Sequence, residues 1–283
     1  MIDLHTHSNA SDGTQPPAEL VAAAAAAGIG TLALTDHDTT QGWAEAAAAA
    51  ELVGVDLVRG IELSTTHRGI SIHLLAYLPD PDDPALVAEL RHTHASRAER
   101  LRTMVTRMEE AGVPITYADV LAQVDGPGTT VGRPHIADAL VAAGVVPTRD
   151  AAFEWYLRGR SGFYVPHYAT PVLDAVRLVR AAGGVPVMAH PLAAARGRVV
   201  SDDVIEAMAE AGLAGIEAYH HDHTPAQTAH ALDLAGNLRL FVTGSSDYHG
   251  TGKVNVLGEH TTTPEVLAQI EAEATSGIPV LRH

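Results

Sequence analysis

Residues 31–38 read Thr31-Leu32-Ala33-Leu34-Thr35-Asp36-His37-Asp38, an apolar run of strand length that breaks off into acid and imidazole. On its N-terminal side lies the helix-like, alanine-rich stretch Pro17–Ala27, and before that a second short run, Ile2–Leu4, ending in His5-Thr6-His7. On its C-terminal side come the helical Trp43–Val53 and then Asp56–Val58, which leads to Ile61–Leu63. Val185–Ala189, Ala214–Ala218 and Leu240–Val242 repeat the theme, each beside a helical segment. Gly28, Gly54, Gly183 and Gly212 stand where these helices should end, the usual place of a left-handed glycine. Strand, helix and strand at this spacing predict a parallel sheet or an α/β barrel. Ile70–Tyr77 breaks the pattern by following Leu63 closely, and is expected to be a further strand of the same sheet.

Between Leu86 and about Leu157 only helical periodicity remains, with Arg and Glu at i, i+4 spacings in Ser96–Gly112. Pro79, Pro81 and Pro84 open this region, and the run Gly159–Pro166 closes it. It reads either as a helical insertion of about 80 residues or as ordinary barrel helices. On the first reading the barrel comprises residues 1–80 and 160–283, and the insertion residues 81–159. The alanine blocks Ala22–Ala27 and Ala46–Ala50 need no more than helix-favouring composition.

Composition narrows the chemistry. The 283 residues are 46% hydrophobic, enough for a packed core. The absence of cysteine excludes disulfides, thiolate metal sites and cysteine nucleophiles. A net charge of −16, from 34 acids against 18 bases, argues against a basic track for duplex DNA, although bound cations could reverse the field locally for phosphorylated substrates. The first residues show no basic start and no apolar segment, and Val21–Ala27 is too short to span a bilayer, so a cytoplasmic protein without a membrane partner is expected. There are 17 histidines, more than a surface has use for, so a share of them is expected to do chemistry.

Those histidines gather at strand ends. The first strand delivers His5 and His7, followed by Asp12; the second delivers Asp36, His37 and Asp38; the third Glu62. His73 opens the fourth, and later strands deliver His190 and the pair Asp247 and His249. Residues two apart in a strand face the same side, so His5 and His7 can converge on one ion. Taken singly, a His at a strand end is more often a hydrogen-bonded structural group, and an Asp such as Asp38 ahead of a helix is a cap. Nine such side chains at one barrel rim are another matter, because uncompensated they would repel or stay unsatisfied. Imidazole and carboxylate without sulfur suit Mn, Fe or Zn.

The ordered motifs His5-Thr6-His7, Ser11-Asp12-Gly13, Thr35-Asp36-His37-Asp38, Gly60-Ile61-Glu62, His73, Ala189-His190-Pro191 and Gly244-Ser245-Ser246-Asp247-Tyr248-His249 resemble the PHP family, the polymerase and histidinol phosphatase metal-dependent hydrolases, nearly from end to end. The resemblance implies a distorted (β/α)7 barrel, here with a helical insertion, and about two to three divalent transition-metal ions. Carried over, His5, His7, Glu62 and Asp247 hold one ion; Glu62 bridges to a second completed by His73 and His190; Asp12, His37 and His249 hold a third. Glu62 and Asp247 then serve catalysis by supporting a metal-bridging hydroxide that attacks a phosphate monoester.

The insertion resembles the branch that hydrolyses nucleoside 3′,5′-bisphosphates and trims short 5′-phosphorylated RNA, through Gly132-Arg133-Pro134-His135, Phe153-Glu154-Trp155-Tyr156-Leu157-Arg158-Gly159-Arg160 and Tyr164-Val165-Pro166. Arg133, His135 and Arg160 are therefore the expected contacts to a second phosphate or ribose. Within Tyr219-His220-His221-Asp222-His223, His223 is the favoured substrate contact and candidate proton donor, and Asp36 is expected to orient a ligand imidazole. Other readings of the same motifs are a histidinol-phosphate or other small-metabolite phosphatase, a non-catalytic metal-binding module of a nucleic-acid enzyme, and amide or lactone hydrolysis.

Overall fold

The computed structural model describes residues 1–124, 129–166 and 168–283; residues 125–128, inside the expected insertion, lie outside the described residues. The chain opens with β1 (Ile2–Thr6), α1 (Pro17–Ala26), β2 (Thr31–Leu34), α2 (Trp43–Val53) and β3 (Asp56–His67), and β1, β2 and β3 pair in parallel. Every residue of β1 and β2 is buried, as parallel strands covered on both faces must be. The alanines of α1 and α2 do more than favour helix: Ala24, Ala46 and Ala50 have no exposed surface and sit in one core with Leu20, Leu32 and Leu57. Gly54 closes α2 at φ 71°, its N–H bonded to Ala50 O, a conformation that costs any residue with a Cβ.

Two expectations change here. Asp56–Val58 and Ile61–Leu63 belong to one strand of 12 residues, because the chain runs straight through Gly60. A Cβ at Gly60 would stand 2.8 Å from Thr35 Cγ2, so only glycine lets β2 and β3 approach there. The sheet is also not wholly parallel. Arg68 and Gly69, at φ 47° and 77°, turn β3 back into β4 (Ile70–Tyr77), which pairs antiparallel with it and sets His73 opposite Ser64.

The helical region follows as α3 (Pro84–Glu110), α4 (Tyr117–Leu121), α5 (Arg133–Ala142) and α6 (Arg149–Ala152), continued by a π-helical turn over Phe153–Leu157. Asp83 caps α3 by accepting from the Ala85 and Leu86 N–H groups. These helices enclose a core of their own, with Leu101, Met104, Met108, Ile136, Leu140 and Leu157 buried together. They are tied to the barrel where Arg97 reaches Asp38 and Ser64 and where Thr130 N–H bonds Ala10 O.

The remainder restores the repeat: β5 (Thr170–Pro171), α7 (Val172–Ala181), β6 (Val185–Met188), α8 (Asp202–Glu210), β7 (Gly215–Tyr219), α9 (Pro225–Leu238), β8 (Phe241–Gly244) and α10 (Pro264–Glu273). The sheet order is β1-β2-β3-β4-β6-β7-β8, with β5 attached to β3. His7 N–H bonds Tyr248 O at 2.9 Å and brings the two ends together, so the seven strands make a nearly closed barrel. Among the described residues no helix is long and apolar enough to cross a membrane.

Candidate active site

All nine predicted ligands meet at one mouth of the barrel. Glu62 lies at the centre, 1% exposed, and its two oxygens divide the imidazoles between them. Oε2 is 3.1 Å from His5 Nε2, 3.0 Å from His7 Nε2 and 3.3 Å from His37 Nδ1. Oε1 is 2.7 Å from His73 Nδ1 and 3.2 Å from His190 Nε2. Asp247 Oδ1 approaches His5 and His7 at 3.4 and 3.3 Å, and Asp12 Oδ1 lies 3.2 Å from His249 Nε2. Three groups of ligand atoms are each close enough to hold an ion: His5, His7, Glu62 and Asp247; His37, Glu62 and His73; His7, Asp12, His37 and His249.

The residues fit metal ions on an independent ground. His5 Nε2, His7 Nε2, His37 Nδ1, His73 Nδ1 and His249 Nε2 are buried and, among the described residues, make no well-formed hydrogen bond, with carboxylate oxygens lying beside them. Polar atoms left so are costly unless something else is bound there. The opposite ring nitrogens of His5 and His249 are engaged, donating to Glu217 Oε1 at 3.0 Å and Asp247 O at 2.8 Å, which aims the bare nitrogens inward. His190 and Asp247 also hold left-handed backbones, at φ 28° and 54°, where neither side chain is favoured.

Charge in the cluster is uneven. Burial pushes His37 down to about 3 and His249 down to about 4, so both are neutral. Burial also opposes protonation of His7, yet Asp247 and Glu62 outweigh it and raise the ring to about 9; the carboxylates around His5 likewise hold it well above its ordinary value. The sign follows directly. Protonation of His7 steadies the metal-free fold below pH 6.5, and that contribution disappears as pH rises through about 9. A ligand imidazole must be neutral, so filling the site at pH 7.5 is expected to release about one proton or more, from His7 above all, and metal affinity should fall as the solution is acidified. Calorimetric titration in buffers of different ionisation enthalpy measures this directly, and release of fewer than about half a proton would contradict the assignment.

Other expectations need correction. Asp36 orients no imidazole: it accepts from Ser8 N–H, Ser8 Oγ and Ser11 Oγ, and so shapes the loop that carries Asp12. The imidazole-orienting carboxylate is Glu217, with no exposed surface, which holds His5 and also takes the His190 N–H at 2.8 Å. Asp38 is not a cap, since its carboxylate binds Ser64 and Arg97. His223 has both ring nitrogens committed to backbone, Nδ1 to Ala218 O at 2.9 Å and Nε2 to Leu192 N–H at 3.2 Å. Its neighbour His220 is the one facing the cluster, with a bare Nε2 3.4 Å from Asp247 Oδ2. Three histidines in four residues marked the segment, but nothing local distinguished the one turned inward.

Outside the ligands the site opens into a cavity of about 1060 Å³. His37, His73, His190 and His249 form part of its wall, and Arg133 another part. His135 caps α5 instead, its Nδ1 accepting from Gly132 N–H, while Arg160 is exposed and does not line the cavity although Arg158 does. Arg196 and Lys253 were not anticipated. They line the cavity and bind Asp247 Oδ2 at 2.5 and 3.0 Å, fixing the carboxylate so that its other oxygen points at the imidazoles.

Residues 3–123 match the PHP domain family. The chain is 36% identical over 253 residues to the 3′,5′-nucleoside bisphosphate phosphatase of Chromobacterium violaceum, covering 89% of this chain and 88% of that one. It is 41% identical over 191 residues to the 5′-3′ exoribonuclease of Haemophilus influenzae, covering 67% of this chain and 68% of that one. A solved structure from Bifidobacterium adolescentis, described as a candidate metal-dependent phosphoesterase, superposes with a TM-score of 0.94 at 41% identity over 98% of this chain and 97% of its own. With these likenesses and a cluster of imidazoles and carboxylates built around Glu62, the chain belongs to the PHP family and is a metal-dependent phosphoester hydrolase.

Proposed function

We propose that the enzyme removes phosphate from nucleoside 3′,5′-bisphosphates and acts on short 5′-phosphorylated oligonucleotides, using two to three divalent ions of the Mn, Fe or Zn class held by the nine ligands. The observation that supports this reading is a single cavity walled on one side by the cluster imidazoles and on another by arginines of the helical region, in a chain whose net charge is −16. Residues 81–159 act as the lid, and Arg133, which lines the cavity, turns towards the phosphate that does not react. The names of the relatives from C. violaceum and H. influenzae support the same substrate class.

Bound divalent cations supply Lewis acidity and a water of lowered pKa. The protein's own groups do the rest. Glu217 keeps His5 in the tautomer that presents Nε2, and Arg196 and Lys253 keep Asp247 turned inward. A histidinol-phosphate or other small-metabolite phosphatase would use the same cluster, so substrate choice must come from the cavity wall.

Steady-state kinetics on adenosine 3′,5′-bisphosphate, short 5′-phosphorylated RNA, histidinol phosphate and para-nitrophenyl phosphate tests the proposal. The bisphosphate should give the highest kcat/KM. A guanidinium–phosphate contact in a shielded site contributes roughly 2–3 kcal/mol, so Arg133→Ala should lower the ratio of bisphosphate to para-nitrophenyl phosphate kcat/KM by about thirty- to a hundredfold. An unchanged ratio, or a wild-type preference for histidinol phosphate, would replace this reading with the small-metabolite one.

A further inference from the structure

The imidazoles of the cluster are not all held in the same way. Glu217 fixes the His5 ring and a backbone carbonyl fixes the His249 ring, but among the described residues neither nitrogen of His37 makes a well-formed hydrogen bond. His37 is therefore placed by its backbone, which the next residue sets. Asp38 stands at φ 54°, a left-handed conformation that costs a residue with a Cβ and persists only where neighbours hold it. Its N–H donates to Glu62 O at 3.1 Å, and its carboxylate accepts from Ser64 N–H at 2.7 Å and Ser64 Oγ at 2.8 Å.

The remaining holds come from the helical region. Arg97 of α3 donates Nε to Asp38 Oδ2 at 2.8 Å and Nη2 to Ser64 Oγ. Three residues earlier on the same helix, His94 Nε2 donates to Asp38 O at 2.9 Å, with Thr130 Oγ1 equally close. Thr130, 2% exposed, in turn gives its N–H to Ala10 O at 2.9 Å, in the loop that carries Asp12. Arg149, at the start of α6, lies so close over Gly252 that a side chain there would collide with its guanidinium. Gly252 gives its own N–H to the His249 carbonyl at 3.4 Å. The helices thus grip the segments of Asp12, His37 and His249, the three ligands that form one metal group with His7. Among the described residues, no hydrogen bond or ion pair joins residues 81–159 to β1 or to the segment of His190.

We propose that the helical region builds the third metal site: Arg97, His94, Thr130 and Arg149 are positioning residues for Asp12, His37 and His249, so that binding of this ion and docking of the helices on the barrel are one coupled event. This rests on the three-ion form of the reading above. Asp38 is 1% exposed, and without Arg97 its buried carboxylate loses its cation and turns towards solvent, carrying His37 off the ion. When His37 moves, the second group keeps Glu62 and His73, with His190 3.2 Å from Glu62.

Metal-free wild type, Arg97→Met, Arg97→Lys and His94→Ala are titrated with manganese(II) chloride by calorimetry, and bound metal is counted by elemental analysis. Wild type should take three ions, one for each group of ligand atoms. Arg97→Met should weaken one of them by about ten- to a hundredfold and leave the others at wild-type affinity. His94→Ala removes a single hydrogen bond and should weaken the same ion by about two- to tenfold. Arg97→Lys keeps a cation beside Asp38 and should recover part of the loss. Coupling is reciprocal, so the last equivalent of manganese should slow amide exchange around His94 and Arg97 in wild type but not in Arg97→Met. Mass spectrometry of hydrogen exchange reads this without any turnover. A role for Arg97 in the fold alone would weaken all ions alike, or speed exchange along the whole of α3 whether or not metal is present; either result overturns the proposal. If wild type itself takes only two ions, the three-ion reading falls and the proposal with it. Three ions of unchanged affinity in wild type, Arg97→Met and His94→Ala would overturn the proposal alone.

Discussion

Glu62→Gln is expected to cut turnover of any phosphomonoester by more than about a thousandfold while the protein stays folded. The reason lies in how its two oxygens are used. Oε2 faces His5, His7 and His37, and Oε1 faces His73 and His190, so one carboxylate joins two sets of imidazoles. Gln keeps the shape but removes the charge and replaces one oxygen with an NH2 group, which cannot ligate a cation. Whichever way the amide turns, one set of imidazoles loses its shared anion. Glu62 is 1% exposed and no hydrophobic packing depends on its charge, so circular dichroism and the unfolding temperature of the metal-replete variant should show a native fold. Turnover of para-nitrophenyl phosphate above a tenth of wild type, with a full metal complement, would move the centre of the site elsewhere.

Removal of the metals should have an effect as large. Exhaustive chelation is expected to lower turnover to below about a thousandth of the metal-replete rate, with recovery on adding Mn, Fe or Zn salts. The donor set is imidazole and carboxylate throughout, and its bare buried nitrogens supply no other means of polarising a phosphoryl group. Protein purified without chelators should carry about two to three ions per chain, since the ligand atoms form three overlapping groups. Chelation should also lower the unfolding temperature, because a ligand at a thousand times its Kd stabilises the folded state by about 4 kcal/mol. Activity that survives chelation, with less than one ion per chain by elemental analysis, would contradict the metal-dependent site.

The sequence by itself determined what depends on short-range periodicity. Two-residue alternation placed His5 and His7 on one side of β1, an apolar run of strand length located Asp247 just beyond a strand end, and glycines marked helix ends such as Gly54, whereas Glu62, expected at a strand end, lies in the middle of β3. The alternation of strand and helix carried the barrel with it, because each parallel strand needs a crossover long enough to hold a helix. Only the tertiary structure decided the pairings that chain closure makes. Glu217 holds His5 across 212 residues, and no local pattern in β7 marks it as the carboxylate that sets an imidazole tautomer. The choice of His220 over His223 turned on which ring the loop after β7 tucked against Asp247, a matter of three-dimensional space rather than spacing. The antiparallel β4 was hidden for a similar reason. A buried apolar strand reads the same in either direction, and its partner β6 lies more than a hundred residues away. Arg100 looked like one more member of a solvated i, i+4 helix face, and became a buried cation only when α3 packed beneath Tyr164.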